Sequence, residues 1–288
     1  MEQEIVKSQH YVPVFYLKNF VNSSGKLYVY DRKENELFLC MPQKICQSKF
    51  LYETPWEDTK VDRGKYVLCN TIENSFSACE GRYSTVVKRL LNICVPSQNP
   101  HALICSHKDK EELISFTVNL FVRNPWAMDY FEMDTIPKEL DEHPVSNAVR
   151  KLLEELNWGG ANSLIKHSIK CADLLEHDEG GLVRELKQEI AKLNFTFYYS
   201  KSGKFITSSC PSCLGYFKNG KVFAYLPLSP YVAVSFGDSI VSREDNNRMG
   251  VINTDDTMGV NRIYLSLDTK RVRYFIGNSD VTLQEYLS

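Results

Sequence analysis

Apolar residues recur at three- and four-residue spacing along the middle of the chain: Ile72, Phe76, Cys79, Tyr83, Val86, Val87, Leu90 and Leu91. That period places them on one face of an α-helix. Pro96 and Pro100 follow it and bracket a loop. A second stripe, Leu113, Phe116, Thr117, Leu120 and Phe121, predicts a helix opened by Ser106 or His107 and kinked or stopped at Pro125. Pro137 and Pro144 mark another loop. Two further helices are expected over 146–158 and 162–176, parted by Gly159-Gly160, and a charged one over 182–193 after Gly180-Gly181.

Toward both ends the pattern turns extended. Lys26-Leu27-Tyr28-Val29-Tyr30-Asp31-Arg32 and Leu37-Phe38-Leu39-Cys40, separated by a polar turn, predict a β-hairpin. Phe50-Leu51-Tyr52-Glu53 reads as a short extended piece. Aromatic and β-branched residues predict strands over 195–199, 204–208, 222–226 and 231–236. The polar stretch 237–257 reads as a loop. Val260, Ile263, Tyr264, Leu267, Arg271, Tyr274 and Phe275 fit a long last helix, with a final helical turn over 281–287. The expected fold is therefore α+β, with a mainly antiparallel sheet built from both chain ends and covered by the central helices. It is read as a single domain over 1–288: a helical middle about 70–193, a strand-rich part 194–236 and a C-terminal helix about 256–276.

Composition narrows the class. Of 288 residues 43% are hydrophobic and 24% charged, an ordinary globular balance. The net charge of -2, from 34 basic and 36 acidic residues, argues against a dedicated basic grip on nucleic acid but leaves room for a local patch. No apolar run is long enough for a membrane span, and the start Met1-Glu2-Gln3-Glu4 is unlike a signal peptide. Nine cysteines, an odd number in a chain without an export signal, point to reduced thiols and a cytoplasmic location.

Familiar chemistry is missing. There is no Walker loop, no His-Glu-x-x-His, no dinucleotide fingerprint and no Gly-x-Ser-x-Gly elbow. Cys210-Pro-Ser-Cys213 is a Cys-x-x-Cys pair with no second pair at metal-ligand spacing, so no metal site and no cofactor is named. What remains is a set of polar residues in apolar settings. His10 lies in the run Gln9 to Phe20 as an acid–base group or a structural histidine. Asp31, at the hairpin's end, is either a second carboxylate near it or a turn cap. Glu80 and Arg123 fall on the apolar sides of their helices and are expected to pair, either as a structural ion pair or with Arg123 free to hold a phosphate. Lys270, Arg271 and Arg273 form a basic cluster on the expected last helix, where Tyr274 and Phe275 offer rings for nucleic acid.

Several pieces together carry a family resemblance: His10-Tyr11-Val12-Pro13 with Phe15-Tyr16-Leu17-Lys18-Asn19-Phe20, then Tyr30-Asp31-Arg32, Arg123-Asn124-Pro125, Phe205-Ile206-Thr207-Ser208 and Pro227-Leu228-Ser229-Pro230. In this order the chain resembles a bacterial family catalogued as domain of unknown function 4238. The resemblance implies a bacterial cytosolic protein and no particular activity. It adds Ser208 to His10, Asp31 and Glu80 as a candidate catalytic residue. Tyr11, Tyr16, Arg32, Arg123, Ser209 and Ser229 become candidate substrate contacts. One departure stands out. The family's strand motif usually runs Phe-Ile-Thr-Ser-Asp-Asn-Pro, whereas here Ser209 and Cys210 replace the acid and the amide. Two functions are expected from this set. One is a hydrolase or nuclease-type effector, of the toxin or phage-defence kind, acting on nucleic acid or another phosphate-containing substrate. The other is a non-catalytic binding or interaction module with a degenerate site. Oligomeric state is left open.

Overall fold

The computed structural model describes residues 4–97, 105–131, 135–175, 181–216, 222–237 and 248–287. Pro100, Gly180, Glu176 and residues 238–247 of the expected loop lie outside them. The chain opens with β1 (Ser8–His10), a short helix α1 (Val14–Leu17), the hairpin β2 (Leu27–Asp31) and β3 (Glu36–Cys40), and β4 (Gln47–Lys49). Helices follow: α2 (Thr71–Ser97), α3 (His107–Val122), α4 (Pro125–Phe131), α5 (Lys138–Asp141), α6 (Pro144–Glu155), α7 (Ala161–Leu174) and α8 (Leu182–Ala191). Then come β5 (Phe195–Ser200), β6 (Thr207–Ser208), β7 (Cys213–Tyr216), β8 (Val222–Pro227), β9 (Val232–Phe236), β10 (Arg248–Ile252), α9 (Thr254–Asn261), β11 (Tyr274–Gly277) and α10 (Asp280–Leu287).

The fold is α+β, and its sheets are mainly antiparallel. Strands from both ends do share one sheet, in the order β3-β2-β11-β6. The strands after the helices form a separate sheet, β10-β5-β9-β8-β7, in which β10 runs parallel to β5. A third, small pairing joins β1 to β4. One large core lies among α2, α3, α8, the first residues of the chain and β5, β8 and β9. A second core, with Tyr198, Tyr225, Phe205, Phe275 and Leu283, packs the two larger sheets on each other. Among the described residues no helix is long and apolar enough to cross a membrane.

Local chemistry explains most element ends. Ser106 caps α3 with Asp109 in a reciprocal capping box, so His107 is its first residue. Pro125 lacks an N–H to continue α3 but suits the first turn of α4, and Pro144 does the same for α6. Alternation holds in β2, where Leu27, Val29 and Asp31 face inward.

Four expectations are corrected. The described end of the stretch 237–257, expected as a loop, forms β10 and the start of α9. Phe50 turns with φ +55°, so the extended piece sits earlier, as β4. Only Thr207 and Ser208 of 204–208 pair as a strand. The long last helix does not form: α9 and a short helical turn end at Tyr264, and Tyr274 and Phe275 belong to β11, paired with β2 and β6. The helical spacing of 260–275 is real, but Asp268 accepts the Arg271 N–H at 2.8 Å and makes a turn instead. Lys270, Arg271 and Arg273 therefore sit on the approach to a strand.

Candidate functional site

Arg123 closes α3 and is 1% exposed. Its Nη1 donates to Glu80 Oε1 at 2.9 Å and reaches Asn119 Oδ1 at 3.4 Å. Nη2 donates to the His10 carbonyl, Nε approaches the Tyr52 hydroxyl at 3.5 Å, and the guanidinium lies 4.8 Å from the centre of the Phe76 ring. The Glu80 pair is thus present, with the Arg123 side sealed and Glu80 partly exposed. These bonds leave Arg123 no donor facing solvent, so this geometry gives a phosphate no access to it. Tyr52 donates back to the Arg123 carbonyl at 3.1 Å, which ties the segment after β4 to the end of α3.

His10 is half-buried, and its Nε2 lies 3.3 Å from the Gln43 carbonyl. Burial lowers its pKa and Arg123 adds to this, against the Gln43 carbonyl and Glu80. The ring is neutral near pH 7. On α2, seven residues before Glu80, stands Glu73, which sequence reasoning missed. Its Oε2 is buried without a hydrogen-bond partner, and burial pushes its carboxyl up to about 7. The i, i+7 spacing from Glu80 was the available signal.

The remaining candidates are held by structural bonds. Tyr16 is buried, with its hydroxyl donating to the Pro227 carbonyl at 2.6 Å and 2.7 Å from Thr207 Oγ1. It ties the N-terminal run to two other motif pieces. Asp31 takes Arg273 on both carboxylate oxygens, Nη2 at 2.7 Å, and the Lys33 N–H at 2.9 Å. Burial raises its pKa, but these bonds win and hold it below the ordinary value. Arg32 donates to the Leu267 and Val272 carbonyls and covers Phe275. Ser208 is sealed, donating to the Cys210 carbonyl at 2.8 Å, with no base beside its oxygen. Ser229 accepts the Tyr231 and Val232 N–H groups in a turn. The Cys210 and Cys213 thiols are buried and raised by that burial, and no metal-ligating cluster occurs among the described residues.

Tyr11 and Ser209 line one cavity of about 380 Å³, whereas Ser229 borders a separate one of about 470 Å³. Tyr11 is placed by its N–H bond to the Cys46 carbonyl, where the chain turns at φ +55° after β1 pairs with β4. Asn124, at the α3–α4 corner, donates from Nδ2 to the Ser209 carbonyl at 2.7 Å. The Ser209 hydroxyl in turn accepts the Arg273 N–H at 2.9 Å and the Tyr274 N–H at 3.1 Å. An oxygen acceptor at this position aligns the segment that enters β11, and a serine supplies it as a carboxylate would.

That segment charges the cavity. Lys270, Arg271 and Arg273 line it, with Lys44 from the turn before β4. No carboxylate among the described residues lines it. Among the described residues Arg273 is neutralised by Asp31, while no acidic side chain pairs with Lys44, Lys270 or Arg271. Arg271 is fixed by Trp126 and Phe121, whose ring centres lie 4.9 and 5.2 Å from its guanidinium, and by the Leu214 carbonyl at 3.1 Å. Its Nε is buried without a partner. A buried N–H left this way costs about 1–3 kcal/mol. His10, Asp31, Glu80 and Ser208 do not line this cavity.

No curated protein and no solved structure matches the chain. A family model described as "Protein of unknown function (DUF4238)" matches residues 8–275. That span holds every residue of the cavity and of the Arg123 network, and the chain belongs to this family.

Proposed function

We propose that this chain is a binding protein for a small phosphate-containing ligand, held in the cavity between β4, the α3–α4 corner and β11. The observation that carries this reading is the lining: among the described residues, three cations without acidic partners and no carboxylate. Fixed cations in a recess attract anions, and a guanidinium held by stacked rings presents its N–H groups without further ordering. A hydrolase or nuclease reading has less support. The acid–base candidates His10 and Glu80 lie outside the cavity, and its polar groups among the described residues include neither an imidazole nor a carboxylate. All nine cysteines are free, which agrees with work in a reducing cytoplasm.

The test is calorimetric titration with inorganic phosphate and pyrophosphate at physiological salt. The wild type binds, and the double variant Lys44→Ser/Lys270→Ser binds about tenfold more weakly, the loss of one to two charge-assisted contacts. Both lysines are exposed, so the fold survives the change. Equal affinity of the two proteins, or no binding by the wild type, overturns the reading. Rapid turnover of RNA or DNA that His10→Ala abolishes would restore the enzyme reading instead.

A further inference from the structure

We infer that the ligand of this cavity is a nucleotide, with its phosphate on Lys44, Lys270 and Arg271 and its base against Phe38; this rests on the anion-binding reading above. Three rings line the cavity: Tyr11, Phe38 and Tyr274. Elsewhere in the molecule rings pair freely, as Phe15 with Phe116, Tyr52 with Phe76 and Phe195 with Phe236 do. None of the three cavity rings has another ring as partner among the described residues. Tyr274 carries the Arg273 guanidinium on one face, 4.9 Å from its centre. Tyr11 is 8% exposed, so its ring faces are covered.

Phe38 is left as the stacking surface. It is half-buried in β3, the outer strand of its sheet, and packs on the main core while also bordering the cavity. A free phosphate makes no use of an apolar ring, whereas every base has a π-face that does. Gln47 and Ser48 line the same cavity and add neutral donors and acceptors of the kind that meet base edges. The volume of about 380 Å³ is at the small end of ligand pockets, roughly 300–1,000 Å³, and suits one nucleotide better than a longer strand.

The source of such a ligand is a free nucleotide or the phosphorylated end of a strand, and titration separates them. The probes are inorganic phosphate, ribose 5-phosphate, AMP and a 5′-phosphorylated oligoadenylate. AMP is expected to bind about tenfold more tightly than ribose 5-phosphate, the effect of stacking one base. Phe38→Leu keeps an apolar group on the core and is expected to erase that advantage while leaving phosphate affinity unchanged. An oligoadenylate weaker than AMP supports the free nucleotide, and a tighter one supports a strand end carrying the same chemistry. If phosphate binds but AMP gains nothing over ribose 5-phosphate, the nucleotide inference fails and the anion reading stands. If no probe binds, both fail.

Discussion

Arg123 spends its donors on Glu80, Asn119, Tyr52 and the His10 carbonyl, so its work is to hold β1 against α3. Removing it leaves a carboxylate, a carbonyl and a hydroxyl without their partner in a packed interior. Arg123→Leu is expected to cost about 3 kcal/mol, read from the urea midpoint, because breaking a buried ion pair on one side is among the expensive single changes. A loss below about 1 kcal/mol would contradict this role. The Glu80–Arg123 pair was legible from helical spacing alone, since both residues fall on apolar stripes. The sealing of Arg123 was not, because the Tyr52 and His10 groups that close the site come from segments distant in sequence. Ser208 and Tyr16 show the same limit: each looked exposed to chemistry, and each is committed to a carbonyl inside the core.

The α2 helix presents Glu73 and Glu80 seven residues apart, one poorly satisfied and one paired. Folded Glu73 keeps its proton up to about pH 7, whereas an ordinary glutamate loses it near 4.5. Between those values the folded state binds more protons than the unfolded one, so stability falls as pH rises through that window. Glu73→Gln is expected to flatten this slope and to make the protein more stable than the wild type above pH 7, as urea denaturation across the window would record. An unchanged slope would contradict a buried, protonated Glu73. Elements with a strong local signal were legible: the β2–β3 hairpin from two extended runs around a polar turn, and α3 from its apolar stripe. The 260–275 segment misled because period is a weaker constraint than a side chain that bonds the backbone. Asp268 breaks the helix there, and pairing with β2 and β6 decides the rest.

Across the whole molecule, the cavity is where separate chain segments meet. Tyr11, Lys44, Asn124, Ser209 and Arg271 come from five stretches that the three sheets and the α3–α4 corner bring together. The α+β class was legible because helices and strands are segregated along the chain. The division of the strands into two larger sheets was not, since β6 and β7 are close in sequence yet belong to different sheets. The basic cluster was visible too, but only the turn at Asp268 and the clamp at Ser209 aim it inward. On the binding reading the anion sits in this recess and not beside His10 and Glu80. The most direct measurement is a crystal soaked in tungstate, a tetrahedral anion of phosphate shape, with its anomalous signal mapped. The account predicts a peak inside the cavity within hydrogen-bond distance of Arg271 and a lysine from Lys44 and Lys270. A peak beside His10 and Glu80 with none in the cavity would contradict it.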